Sequence, residues 1–264
     1  MKHRCHSSGF TLIEALLASV VLVCIVLFGY KFVHIAYQQK LNYQDTRNLH
    51  LSFSEILQCL QQDLSTLVTA YKAQPSFEMA SNDDHSLFTI TFFTSNSAHK
   101  TTALVQYRFQ KITPGEHKIT RVEVDGAHSL QCQKSLRTDS SLFELFESIP
   151  QEAKTTYTYP IPCSDFKIRL AIAGNNDFFY FLPPNVPLRY TGREVFYQTQ
   201  NLPHTYRGKI SFFDITLRGL TANDTRLLQK FLAEKHHRFS EKEFIFNNSC
   251  KAFRRIVIFS SIPF

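Results

Sequence analysis

Residues 1–30 read MKHRCHSSGFTLIEALLASVVLVCIVLFGY, and the reading of this stretch decides the rest. A short basic head with Lys2 and Arg4 leads to Gly9, after which the chain is apolar except for one carboxylate, Glu14. Uncharged residues run unbroken from Ala15 to Tyr30. As a helix, residues 10–30 extend roughly 30 Å, the thickness of a bilayer's hydrocarbon core. A transmembrane helix over residues 10–32 is therefore expected. A secretory signal would carry a shorter apolar core followed by a small-x-small site. Here Lys31-Phe32-Val33-His34-Ile35-Ala36 follows, with His34 where a small residue is wanted, so cleavage after the apolar core is not expected. Lys2 and Arg4 hold the N-terminus on the cytoplasmic side and send the remainder outward; Lys31 weakens that bias without reversing it.

A carboxylate inside a membrane-spanning segment is costly and by default a functional candidate. The bland alternative for Glu14 is a position near the interface, where it reaches toward headgroups and sits at the positive end of its own helix.

The neighbours of Glu14 add weight to the functional reading. Gly9-Phe10-Thr11-Leu12-Ile13-Glu14 resembles the G-F-T-L-I-E processing motif of type IV prepilins and type II secretion pseudopilins, and it sits after a basic leader at the start of the spanning segment. The resemblance implies that residues 1–9 are a leader peptide. Prepilin peptidase would cut between Gly9 and Phe10, and Phe10 would then be N-methylated. Gly9 suits that site because the absence of a side chain lets an enzyme approach the backbone. Cleavage would leave an amine at Phe10 and place Glu14 fifth in the mature chain. In a low-dielectric bilayer, such an amine and a carboxylate from an adjoining subunit attract strongly, which makes Glu14 an assembly salt-bridge residue.

Downstream, no proline interrupts residues 10–74, the only glycine is Gly29, and Pro75 supplies a stop. The apolar helix is thus expected to continue as an extracytoplasmic amphipathic helix over residues 33–74. Leu49, Phe53, Ile56, Leu60, Leu64, Leu67 and Tyr71 follow steps of three and four, with Asp45, Arg47, Glu55, Gln61 and Asp63 assigned elsewhere. The polar run Gln38–Asn48 is the weakest part, and Ser52 with Glu55 has the spacing of a capping box that restarts a helix.

After Pro75 the period shortens to that of strands. Leu87–Thr94, Thr102–Ile112 and Ile119–Val124 are rich in β-branched and aromatic residues, and Pro114-Gly115 marks a hairpin between the last two. Further strands are expected at Phe166–Ala173, Phe178–Leu182, Val195–Thr199, Lys209–Leu217 and Arg254–Ser260. Helices are expected at Leu142–Ile149 and Ala222–His236, the latter with Leu227, Leu228, Phe231 and Leu232 on one face. The pattern predicts an α+β fold, with a long N-terminal helix packed on an antiparallel β-sheet head over residues 75–264. Together with the processing motif it resembles the pilin-like architecture.

The chain has 264 residues, 44% hydrophobic and 19% charged, with a net charge of +7. Its mean hydropathy of -0.17 excludes a polytopic membrane protein. The positive charge suits an anionic partner, whether lipid headgroups, nucleic acid or an acidic protein, and suits a solvated basic surface equally. The six cysteines form no C-x-x-C pair. Cys5 lies in the leader, Cys24 in the apolar segment and Cys59 on the helix, leaving Cys132, Cys163 and Cys250 as candidates for one disulfide whose pairing stays open.

No G-x-S-x-G, H-E-x-x-H, G-x-x-x-x-G-K-[ST] or G-x-G-x-x-G occurs, so no catalytic residue, cofactor or metal site is expected. His3, Cys5 and His6 fall in the leader; His236-His237 suits a helix C-terminus. Asp83-Asp84 and Asn223-Asp224 read as turn or cap residues rather than calcium ligands. Asn247-Asn248-Ser249 matches a glycosylation sequon; Lys251 and Arg254-Arg255 with Phe253 suit a DNA contact, but edge-strand protection explains the charges as well, and no nucleic-acid partner is expected.

Among pilin-like proteins, LQCLQQDLSTL at Leu57–Leu67 is similar to a helix of the J-type minor pseudopilins of type II secretion. The segments LVQYRFQ, ITRVEVD and FLPPNVPLRY look like successive strands and a connection of that family. K-type pseudopilins lack the motif glutamate, which Glu14 supplies, and major subunits have smaller heads. The resemblance implies a minor pseudopilin at the tip of a periplasmic pseudopilus. It would be single-pass in the bacterial inner membrane, with I-type and K-type minor pseudopilins, the major pseudopilin, prepilin peptidase and inner membrane lipid as partners. The alternatives are a minor pilin of a type IV pilus, with adhesion or competence duties, and a signal-anchored periplasmic enzyme.

Overall fold

The computed structural model describes residues 11–68, 74–82, 87–96, 101–113, 116–137, 140–161, 163–173, 179–184, 186–192, 194–199, 202–233 and 251–258. Gly9, Phe10, His3, Cys5, His6, Tyr71, Asp83-Asp84, Pro114-Gly115, His236-His237, Asn247-Asn248-Ser249 and Cys250 lie outside these residues. So do the side chains of Cys163, Asn223, Phe231, Leu232, Lys251, Phe253, Arg254 and Arg255. The chain divides into two compact units, Met1–Arg47 and Asn48–Phe264, and the boundary falls within the first helix, α1 (Leu12–Ser65).

In the first unit, α1 is long and apolar enough to cross a membrane. Its side chains from Leu12 to Tyr37 are all exposed, as they must be if lipid or another helix is to cover them. The polar run Gln38–Asn48 is helical throughout, so no restart occurs and Ser52 and Glu55 lie inside the helix. Propensity is weak there, but one missing apolar stripe does not break a ladder already nucleated on both sides.

In the second unit, α1 ends at Ser65 rather than Gln74. Tertiary partners take over the carbonyls that a continuing helix would have used. The Thr94 hydroxyl bonds the Asp63 carbonyl at 3.0 Å, and the Ser95 amide bonds the Thr66 carbonyl at 2.8 Å. Val68 N–H goes to the Phe93 carbonyl at 2.9 Å. Pro75 marks the furthest possible end, whereas competition from a strand sets the actual one.

The remaining elements are β1 (Phe77–Ser81), β2 (Leu87–Asn96), β3 (Thr101–Thr113), β4 (Glu116–Val124), α2 (Gly126–Ser135), α3 (Leu142–Ser148), β5 (Lys154–Ile161), β6 (Cys163–Ala173), β7 (Phe179–Phe181), β8 (Leu188–Tyr190), β9 (Glu194–Thr199), β10 (Leu202–Arg207), β11 (Lys209–Gly219), α4 (Ala222–Ala233) and β12 (Lys251–Ile258). They form an α+β layout of antiparallel sheets rather than one sheet. Eight strands run in the order β10-β9-β8-β1-β2-β3-β4-β5, and four in the order β12-β11-β6-β7. The expected hairpin is present, with Thr113 paired to Glu116. The chain leaves the larger sheet where Pro160, which has no N–H to donate, sits on the edge strand β5.

The two sheets meet through aromatic side chains. Phe77 of β1 packs on Phe213 of β11 at 5.3 Å between centroids, and Phe109 of β3 stacks on Phe166 of β6 at 3.7 Å. Leu49, Phe53, Ile56, Leu57, Leu60 and Leu64 of α1 enter the same core. At roughly 2 kcal/mol for each such side chain, this helix face contributes on the order of 10 kcal/mol as an upper estimate. Period-two alternation then builds a second core on the opposite face of the larger sheet. Val105, Tyr107 and Phe109 of β3 belong to the core that α1 enters, while Leu104 belongs to the cluster of Cys132 of α2 and Leu142 and Phe146 of α3.

Candidate functional site

At the start of α1, Thr11 is the N-cap and Glu14 the third helical residue, and the two cap each other. Thr11 N–H and its hydroxyl donate to Glu14 Oε2 at 2.9 and 3.0 Å, and Glu14 N–H donates to Thr11 Oγ1 at 3.3 Å. This reciprocal arrangement is a capping box. It gives the bland reading of Glu14 a concrete form: the carboxylate satisfies the first turn and lies at the positive end of the helix dipole. Both contacts fall on one oxygen, and among the described residues Oε1 carries no hydrogen bond. A carboxylate held rigidly by one oxygen presents the other to an incoming cation. Sequence reasoning found Glu14 but missed this cap, although the T-x-x-E spacing was visible.

A second charged site was not anticipated. Asp63 was assigned off the apolar stripe, but it is buried in the α1 face. The reason lies in the spacing: Asp63 is three residues after Leu60 and seven after Ile56, so it lies on the stripe itself. Arg121 of β4 meets it with two bonds, Nε to Oδ2 at 2.7 Å and Nη2 to Oδ1 at 3.2 Å. Tyr107 of β3 donates its hydroxyl to Oδ2 at 2.5 Å, Glu123 accepts from Arg121 Nη1 at 2.7 Å, and the Arg121 guanidinium lies over the Tyr157 ring at 5.6 Å. Arg121 could have been found from alternation, because Ile119 two residues earlier points to the core.

Burial pushes the Tyr107 phenol well above its ordinary value, and the adjacent Asp63 charge pushes the same way. Burial disfavours the Arg121 charge, but its hydrogen bond and ion pair with Asp63 outweigh that and raise it on balance. The arrangement holds fixed opposite charges joined by direct hydrogen bonds. It can lock a helix to a sheet, and it offers no open nucleophile. Nearby, Cys59 Sγ lies 3.7 Å from the Tyr159 hydroxyl, whose proton is held up to about 12 by burial and by Cys59.

Other sequence candidates fall out separately. Cys132 is a free, buried thiol in the second core, so it takes no part in the disulfide considered for Cys132, Cys163 and Cys250, and burial raises its pKa away from the reactive range. Asp224 caps α4 together with Thr221, the hydroxyl of Thr221 donating to Oδ2 at 2.7 Å. Glu78 of β1, buried, accepts from Leu142 N–H at 2.6 Å and from the Ser141 hydroxyl at 3.1 Å and pairs with Arg189 at 3.3 Å, tying β1, β8 and α3 together. Among the described residues, no cluster of His, Cys, Asp and Glu is arranged to hold a metal ion. No protein-family model, curated protein or solved structure matches the chain, so its reading rests on its own residues.

Proposed function

We propose that this chain is a pilin-like filament subunit, specifically a J-like minor pseudopilin at the tip of a type II secretion pseudopilus. The observation that carries the reading is the sequence motif Gly9–Glu14, whose Thr11 and Glu14 cap an apolar, exposed helix that is long enough to cross a membrane and that buries one face of its later residues in a β-rich head. Processing between Gly9 and Phe10 would free an amine one residue before the capping box in sequence, and Glu14 Oε1 takes none of the cap's hydrogen bonds. In a neighbouring subunit the same amine can pair with that oxygen and set the axial register. The helix would sit in the inner membrane with its N-terminus cytoplasmic and the head periplasmic. A filament subunit is pushed and pulled through its helix, so the helix must not slide on the head. The Asp63–Arg121 pair supplies that lock at a fixed residue. In this reading the chain is not an enzyme; I-type, K-type and major pseudopilins are its neighbours.

The test is assembly in the producing cell with Glu14→Leu and Glu14→Gln. Both variants should reach the membrane with the head's unfolding transition unchanged, yet be lost from the isolated tip complex. Assembly of Glu14→Leu at the level of the unaltered chain would refute the role given to Glu14. Secretion components in that complex would support the pseudopilin, and pilus-retraction or competence components the minor pilin.

A further inference from the structure

The last turns of the apolar run of α1 are two-sided. At about 100° per residue, Tyr30, Lys31, His34, Tyr37 and Gln38 fall within one face about 120° wide, while Gly29, Phe32, Val33, Ile35 and Ala36 occupy the rest of the circumference. All ten residues are exposed. The Tyr30 and His34 rings stack at 6.3 Å and 10°, which keeps the imidazole on the polar face. Among the described residues, none of the five polar-face side chains forms a hydrogen bond or an ion pair, so the cation and the donors are unspent. No Asp or Glu occurs between Ala15 and Gln44, so this part of the helix supplies no counter-charge of its own.

Helix geometry gives the depth of this face. From Leu12 to Tyr30 the helix rises about 27 Å, close to the thickness of the hydrocarbon core, so the polar face begins where the lipid tails end. From Tyr30 to Gln38 it rises about 12 Å, through the headgroup layer toward water. Tyrosine rings favour that layer, and a lysine there lays its stem among the tails with its ammonium among the phosphates. Phe32, Val33 and Ile35 on the other side keep the same turns in contact with the tails.

We propose that Lys31, His34 and Gln38, framed by Tyr30 and Tyr37, bind the phosphate of an anionic lipid in the outer leaflet. The inference rests on the reading of α1 as a spanning helix with a cytoplasmic N-terminus. A cation with donors and no carboxylate selects an anion, and the apolar far side selects one held at the edge of the bilayer. A second copy in the same orientation would set Lys31 against its twin's Lys31 at the same depth, so a copy of this chain is not the occupant. A lipid phosphate also accounts for Lys31 itself, which runs against the charge bias that holds the N-terminus inside.

The chain has no tryptophan, so a single introduced one reports alone. Leu22→Trp, in the middle of the apolar run, and Ile35→Trp, flanking the polar face, are each placed in the full chain in vesicles of equal parts phosphatidylcholine and phosphatidylglycerol. Lipids brominated on the acyl chain should quench Leu22→Trp. A nitroxide carried near the headgroup of phosphatidylglycerol should quench Ile35→Trp about fivefold more strongly than the same label on phosphatidylcholine. Lys31→Gln with His34→Gln should bring the two labels to within about twofold, and inorganic phosphate in the buffer should leave the preference of the parent chain unchanged. Equal quenching by the two lipids, a preference that survives the double substitution, or its loss to inorganic phosphate would overturn the proposal and leave the spanning reading intact. Failure of the acyl-chain bromines to quench Leu22→Trp would overturn the spanning reading and this inference with it.

Discussion

Replacing Asp63 by alanine leaves the Arg121 guanidinium with Glu123 alone and strands the Tyr107 hydroxyl in the core. The side chains of Arg121 and Asp63 are only 13 and 12% exposed, so water can do little to replace what is lost. Removing one partner of such a pair costs about 3–5 kcal/mol, because a buried charge is left uncompensated. Glu123 is itself partly exposed and retains its bond to Arg121, which offsets some of the loss. We expect about 3 kcal/mol, or roughly 6–12 °C in Tm for a unit of this size. The assay is urea and thermal unfolding of the full chain in detergent micelles, followed by near-ultraviolet circular dichroism, which reports tertiary packing of the tyrosine-rich head rather than the micelle-bound helix. A double-mutant cycle with Arg121→Ala should give a coupling of about 1–3 kcal/mol. Substituting all three groups together, as Asp63→Leu, Arg121→Met and Tyr107→Phe, should come close to neutral, since no buried polar atom is then left without a partner. A loss below about 1 kcal/mol for Asp63→Ala, or strict additivity in the cycle, would refute the claim that this pair locks helix to sheet.

Other expectations follow from the packing and the titrating groups. Gly219→Ala would drive a methyl group into the Phe53 ring and to 2.9 Å from Leu49 Cδ1, so it should cost about 1–3 kcal/mol by overpacking, read from the shift in urea midpoint. Glu78→Ala strips three interactions between β1, β8 and α3 and should cost about 1–3 kcal/mol in the same assay. Tyr159 and Tyr190 hold their protons up to about 12, and Tyr107 is pushed well above its ordinary value, chiefly through burial. The folded state then binds these protons more tightly than the unfolded chain, so their contribution is complete below about pH 10 and is lost as pH rises through the folded values. Urea midpoints should fall above about pH 10, with phenolate absorbance of these tyrosines appearing only on unfolding. Three phenols titrating near pH 10 in the folded protein would contradict their burial.

The helix and the longer strands were legible because each carried one period over many residues. Leu87–Asn96 and Lys209–Gly219 show alternation with β-branched or aromatic residues, and both were placed within two residues at either end. What escaped was short or atypical. Strand β1 reads FEMAS, whose Glu78 is inward-facing and satisfied only by residues far away in sequence, so local pattern could not reveal it. Helix α2 begins on a glycine and buries only Ser129 and Cys132, leaving no stripe to detect; its one sequence signal was Asp125, whose carboxylate caps His128 N–H at 2.8 Å. The division into two sheets was equally hidden, because strand pairing is decided by contacts such as Phe109 on Phe166 that no local period encodes. At the site, the motif around Glu14 was visible by residue type, whereas the Asp63–Arg121 pair required knowing that two charged residues share one core.

The central claim rests on Gly9 and Phe10, and the most direct measurement is the mass of the N-terminal peptide of the chain isolated from the membrane of the producing cell. The account predicts a chain that begins at Phe10 with an N-methylated amine. A peptide that still begins at Met1, or one that begins beyond Ala36, would contradict it.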